Sequence, residues 1–230
     1  MSNGLSADAF VAPEPTAISA FASRLPGRTV LAKMARWDPD KRWLGAIDIV
    51  AELKRLGARP LPIARGGAEA HGDEVLARAR SCGLSVCDRG LLTPGGSGLL
   101  AVLETADEAD LLVVRSPIDS DARRLLFRGA DAVLANSRHE PFGLVALEVM
   151  AVGGIACTGT TGEDYCLPGH NAIALQTNDP REFAWLFSQL KRNRRWETAM
   201  RRAGLATAHR FEWRHVIERT LLPRLEMLVS

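Results

Sequence analysis

The sequence predicts an α/β domain in which helices cover both faces of a parallel sheet. Three observations predict it. Short apolar runs alternate with segments of helical periodicity from residue 28 to residue 192. The short runs are apolar throughout rather than alternating, as strands are when both faces are covered. Glycines such as Gly57, Gly83 and the pair Gly153-Gly154 fall between the segments, where elements must end.

The elements follow in order. Residues 1–27 are rich in Ala, Pro and Ser and read as a linker with one short helix, Thr16 to Arg24. Strands are predicted at Arg28–Ala35, Pro60–Ala64, Leu84–Cys87, Asp110–Arg115, Asp131–Asn136, Ile155–Thr158 and Ala172–Gln176. Helices are predicted at Leu44–Leu56, Ala68–Cys82, Leu99–Ala106, Asp119–Arg128, Phe142–Val152 and Pro180–Arg192, the last capped by Asp179. Residues 89–98, with Pro94, Gly95, Gly96 and Gly98, read as a loop. Two further helices, Arg194–Ala208 and Trp213–Val229, follow, the second kinked at Pro223. Strand–helix alternation of this kind implies right-handed βαβ units. Residues 28–230 are therefore expected to form one doubly wound, Rossmann-like domain, with extra helices from about residue 194. Such sheets bind ligands beyond the carboxyl ends of their strands.

The bulk composition is that of an ordinary globule. Of 230 residues, 47% are hydrophobic and 24% charged. Lys plus Arg is 29 and Asp plus Glu is 27, a balance that argues against a nucleic-acid binder. Cys82, Cys87, Cys157 and Cys166 form no C-x-x-C pair and have no histidines at metal-ligand spacing, so reduced thiols and no metal site are expected. The start, Met1-Ser-Asn-Gly-Leu-Ser, has no basic run followed by an apolar stretch, and no window approaches a membrane span. A cytoplasmic protein is the expectation. The basic cluster Lys191-Arg-Asn-Arg194-Arg195, with Arg201-Arg202, reads as a solvated helix face in preference to a membrane contact, with Trp185, Trp196 and Trp213 as packing residues.

The chemistry concentrates in Asn136-Ser-Arg-His-Glu140-Pro-Phe-Gly-Leu-Val-Ala-Leu-Glu148, which joins a predicted strand to a predicted helix. Pro141 sets the turn, and Gly143 admits close approach of a ligand to the backbone. The N–H groups of Phe142, Gly143 and Leu144 would point outward, and helix starts of this kind attract phosphate. Glu148 is the only charge between Pro141 and Gly162. A carboxylate in so apolar a helix requires a partner, and a ribose diol offers two donors. Glu140 lies at the mouth of the same cleft. The alternative is that Glu148 meets solvent or an arginine and that Glu140 sits near the helix dipole. A second set, Arg36 to Lys41, follows the first strand, where two cations can converge on a diphosphate.

These motifs resemble the C-terminal domain of retaining GT-B glycosyltransferases of the glycogen-synthase-like group (family four). The resemblance rests on Arg36…Lys41, on Ala130-Asp131, on Ser137–Gly143, on Glu148–Gly153 as Glu-x-Met-Ala-x-Gly, on Gly159–Glu163 as Gly-x-x-Gly-Glu, and on Ser2–Phe10, which is similar to the family's interdomain link. It implies that Arg36 and Lys41 neutralise a leaving diphosphate. Phe142, Gly143 and Leu144 would add backbone donors, Glu140 would bind the transferred sugar and help to stabilise the reacting ring, and Glu148 would bind the ribose. The nucleoside-diphosphate sugar would be the substrate, with no cofactor and no metal required. Two departures stand out: Arg42 replaces the glycine usual after the loop lysine, and Arg65-Gly66-Gly67 matches the usual Gly-x-Gly only roughly. The resemblance also implies a separate acceptor domain or partner half, with little transfer by this chain alone. The competing functions are a GT-B sugar-nucleotide epimerase and a non-catalytic nucleotide-sugar subunit. A nicotinamide dehydrogenase is disfavoured, because Gly96-Ser-Gly98-Leu-Leu-Ala101 matches G-x-G-x-x-A in the wrong place. His139 reads as a rim side chain, and His71, His170, His209 and His215 have no catalytic company.

Overall fold

A computed structural model describes residues 3–91, 93–106, 108–140, 142–159 and 164–229. Seven parallel strands form one sheet: β1 (Thr29–Met34), β2 (Pro60–Arg65), β3 (Val86–Arg89), β4 (Leu111–Val114), β5 (Ala132–Ala135), β6 (Ala156–Thr158) and β7 (Ile173–Ala174). Their spatial order is β3-β4-β2-β1-β5-β6-β7. The chain moves away from β1 on one side through β2, β3 and β4, then crosses to the other side for β5. The strands β1 and β5 therefore flank the topological switch point, where their outgoing loops diverge and leave a crevice.

Helices cover both faces. They are α1 (Pro15–Arg24), α2 (Trp43–Arg55), α3 (His71–Ser81), α4 (Gly95–Leu103), α5 (Ser120–Gly129), α6 (Leu144–Ala151), α7 (Pro180–Arg192) and α8 (Arg194–His209). Strand side chains alternate between two cores. Val30 and Ala32 of β1 join Phe21, Leu99, Leu125 and Leu147 beneath α1, α4, α5 and α6. Leu31 joins Trp43, Ile47, Val75 and Phe183 beneath α2, α3 and α7. The apolar strands are thus explained: each alternate residue enters a core of its own.

Three expectations are corrected. Residues 95–98 are not a loop but the first turn of α4. Gly95 there has φ 83°, and a side chain on Gly98 would stand 1.8 Å from the Thr93 carbonyl oxygen, so these glycines serve a close-packed helix start. Helix α6 begins at Leu144, not Phe142, because Gly143 takes a left-handed conformation (φ 69°, ψ 47°) as its cap. Trp185 is no packing residue: it is 63% exposed, whereas Trp196 donates to the Gly169 carbonyl.

The N-terminal segment packs on the domain. Leu5 is buried and exchanges backbone hydrogen bonds with Phe211 and Trp213, and Phe21 and Leu25 of α1 enter the core. After α8 come α9 (Trp213–Val216), a π-helical turn (Ile217–Leu221) and α10 (Leu222–Val229). The predicted interruption near Pro223 takes this form: the wider turn lies just before a residue that has no N–H to donate. Among the described residues, no helix is long and apolar enough to cross a membrane.

Candidate donor cleft

The crevice between the ends of β1 and β5 is lined by Lys33, Arg36, Lys41, Ser137, Glu140, Gly143 and Leu144, among others, around about 180 Å³ of space. Local geometry explains each wall. After β1 the chain passes through a single 3₁₀ turn, Pro39–Lys41, capped by the Asp38 carboxylate on the Asp40 N–H. Arg42 follows with φ 51° and ψ 45° and caps α2. It is the one non-glycine residue with positive φ among the described residues. The glycine that the resemblance leads one to expect here would adopt this conformation without strain. The Arg138 N–H donates to the Asp40 carbonyl at 2.6 Å, which ties the β5 loop to the β1 loop across the crevice.

Lys41 and Glu140, 99 positions apart in sequence, meet at 2.6 Å and are both partly buried. Arg36 stands at the rim, 70% exposed, 3.7 Å from Asp38. The left-handed turn at Gly143 puts the Leu144 and Val145 N–H groups at the head of α6, and both residues line the cleft. Tyr165 fixes this turn by donating its hydroxyl to the Gly143 carbonyl.

Phe142 and Glu148 do not line this space. The Phe142 ring joins Tyr165 and Phe211 in an aromatic cluster, with centroid distances of 6.1 and 5.6 Å. Glu148, one turn along α6 from Leu144, faces α5 and pairs with Arg123 at 3.3 Å. Burial raises its pKa above the ordinary glutamate value, with Arg123 opposing the shift. Glu148 thus has an arginine partner on the neighbouring helix. Pro141 and residues 160–163 of the Gly159–Glu163 loop lie outside the described residues, as does Ser2 of the link motif. Gly159 itself is required by packing: a side chain there would meet the Ser137 carbonyl at 2.7 Å. Gly66 is required likewise, since a side chain would stand 2.0 Å from the Trp37 indole.

The glycosyl transferases group 1 family matches residues 113–206. Among solved structures, Anabaena HepE in complex with UDP-glucose superposes with a TM-score of 0.73 at 18% identity, over 97% of this chain and 56% of that one. The C-terminal domain of LpcC, a group 1 glycosyl transferase from Francisella tularensis, gives 0.67 at 16% identity over 90% of this chain and 97% of that one. The fold is that of a GT-B C-terminal domain.

Curated relatives of the GT-B domain include two D-inositol 3-phosphate glycosyltransferases. That of Streptosporangium roseum is 27% identical over 128 residues, 52% of this chain and 29% of the relative. That of a Nocardioides species is 24% identical over 213 residues, 91% of this chain and 41% of the relative. The chain thus spans less than half the length of either.

One cleft residue escaped the sequence reading. Lys33 of β1 is 2% exposed, donates to the Leu134 carbonyl at 3.1 Å and to the Asn136 side-chain oxygen at 2.7 Å, and lies 5.2 Å from the Trp43 ring centroid. Burial lowers its pKa to about 7. The available signal was a lysine inside an otherwise apolar strand. A larger cavity of about 490 Å³ opens across the β1/β5 seam, beside Asp48, His71, Glu74 and Asp179 of the GT-B domain. Its acidic groups are already engaged: Asp48 with Arg78, Glu74 with His71 and Asp179 with Arg181.

Proposed function

We propose that the chain is the donor half of a retaining glycosyltransferase, holding a nucleoside-diphosphate sugar in the β1/β5 cleft for transfer of a hexose. The observation that carries this reading is the convergence of Arg36, Lys41, Glu140 and the start of α6 on one crevice at the switch point. A diphosphate seated there meets the Leu144 and Val145 N–H groups, the positive end of the α6 dipole and two cations. The turn at Gly143 lets it come close. Support also comes from the HepE neighbour, whose structure is of a complex with UDP-glucose.

In the free chain Lys41 and Glu140 neutralise one another. An arriving diphosphate competes for Lys41, and Glu140 is released to accept hydrogen bonds from sugar hydroxyls. As the bond to the leaving diphosphate breaks, negative charge grows on the phosphate and positive charge on the sugar ring. Lys41, Arg36 and the helix start are placed for the first, and Glu140 for the second. Such groups act by electrostatic preorganisation. Glu148 takes the ribose: its half-buried carboxylate exchanges part of its contact with Arg123 for the diol. Phe142 contributes through the backbone, its ring being committed to the aromatic cluster.

Calorimetric titration with UDP, GDP, ADP and NAD tests the reading. One nucleoside diphosphate is expected to bind and NAD not to bind; binding of NAD alone overturns the proposal. Glu148→Ala is expected to weaken that diphosphate by about tenfold, the scale of a lost charge-assisted hydrogen bond. Glu140→Ala should leave the diphosphate nearly unaffected and weaken the intact sugar nucleotide. Identical behaviour of both variants and the parent rejects these roles. Transfer by the chain alone is expected to be weak, because the residues assigned here bind only the donor. Donor binding with no transfer in the presence of an acceptor half would favour a non-catalytic subunit.

A further inference from the structure

Strand β1 carries a charge inside the core. The β1–β5 ladder ends at Ala32 and Val133, and the strands then part. Lys33 spans the place where they part, its ammonium bound to Leu134 and Asn136 of the diverging β5 end. The same side chain lines the cleft with Arg36, Lys41 and Glu140. Both of its hydrogen-bond acceptors are neutral amide oxygens, so the charge is solvated without being neutralised. A buried cation so placed is costly.

We propose that Lys33 is a further positioning residue for the donor diphosphate, acting through the field of its buried ammonium beneath the cleft floor. The inference rests on the donor-binding reading. With its pKa near 7, the amine is charged in only part of the free population at neutral pH. The Cys157 thiol on β6 and Glu140 favour the charged form, and Lys41 and Arg42 from the segment before α2 oppose it. Glu140 is meanwhile held by Lys41. A diphosphate at the head of α6 adds negative charge to this cleft and stabilises the ammonium. Donor binding is therefore linked to proton uptake at Lys33. Because the bound form has the higher pKa, affinity is greatest below the free pKa and falls as pH rises through and above it.

The test is calorimetry of UDP-glucose, ADP-glucose and GDP-mannose from about pH 6 to about pH 9, in two buffers of different ionisation enthalpy. Sugar nucleotides avoid the terminal phosphate of a free diphosphate, which titrates near pH 6. The best ligand is expected to lose about tenfold in affinity between about pH 7 and about pH 8.5, with uptake of a substantial fraction of a proton. Lys33→Met should bind more weakly at pH 6 and show a flat profile with no uptake. Cys157→Ser should keep the pH dependence but move it to lower pH, because a group that favours the charged form is lost. In the unmutated chain, the Lys33 side-chain NMR titration should move to higher pH when ligand is added. That readout needs no variant to fold. Binding with a flat profile and an unmoved Lys33 titration overturns this inference and leaves the donor reading intact. Absence of binding by every sugar nucleotide at every pH overturns both.

Discussion

Lys33 shows how one residue can trade stability for a local field. Its pKa falls from 10.5 to about 7 on folding, because burial penalises the ammonium. Between those values the unfolded chain holds a proton that the folded chain does not, so stability rises with pH across that window. Below the folded pKa the cost of the buried charge is fully present. Lys33→Met is therefore expected to stabilise the chain by about 1–4 kcal/mol near pH 6, as replacements of buried charge by apolar groups do. The gain should shrink as pH rises toward 10. Urea denaturation at several pH values checks this, and a variant less stable than the parent at pH 6 would contradict it. Arg42 carries a second local cost, a left-handed backbone in a residue with a side chain. At both positions the sequence departs from what burial or backbone geometry favours; Lys33 lines the cleft, and Arg42 lines the larger cavity next to it. Neither burial nor φ was legible from the residue alone. The burial of Lys33 depends on Trp43, Leu134 and Asn136, and the partner of Glu148 is Arg123 on another helix.

At the scale of elements, periodicity located every strand and most of the helices, and the exceptions have one cause. Glycines set the starts of α4 and α6: local reading left Gly95–Gly98 in a loop and put Gly143 inside a helix. Gly98 must be small because Thr93 lies against it, and Gly143 must turn left-handed before α6 can begin. Both requirements come from neighbours in space. Phe142, read as the first helical residue, is drawn away by Tyr165 and Phe211. The N-terminal segment gives the sharpest contrast. Its Ala/Pro/Ser composition suggests a linker, yet Phe21 is 1% exposed and seated so close to α5 that a side chain on Gly129 would lie 2.7 Å from its ring. Phe21→Ala is expected to cost about 3–5 kcal/mol, the range for truncating a buried phenylalanine. Thermal unfolding measures it directly. A change below about 0.5 kcal/mol, typical of surface sites, would return the segment to a linker role.

For the whole molecule, the alternation of strands and helices made the doubly wound class legible, while the strand order, and with it the switch point, came only from the structure. That order gives the Glu140–Glu148 motif its meaning. It brings the β1 loop and the β5 loop to one crevice and joins them by the Arg138–Asp40 hydrogen bond. It also separates the two glutamates: Glu140 faces the cleft with Lys41, and Glu148 faces α5 with Arg123. Under the proposed function these are two separate grips on one donor, rather than an acid/base pair. The most direct test is an NMR titration of the isotope-labelled chain with the nucleoside diphosphate that binds. The account predicts that the Gly143, Leu144 and Val145 amides shift most, together with those of the Arg36–Lys41 turn. Dominant shifts at Thr177–Asp179, which line the cavity across the seam, or at Gly95–Gly98, would contradict it.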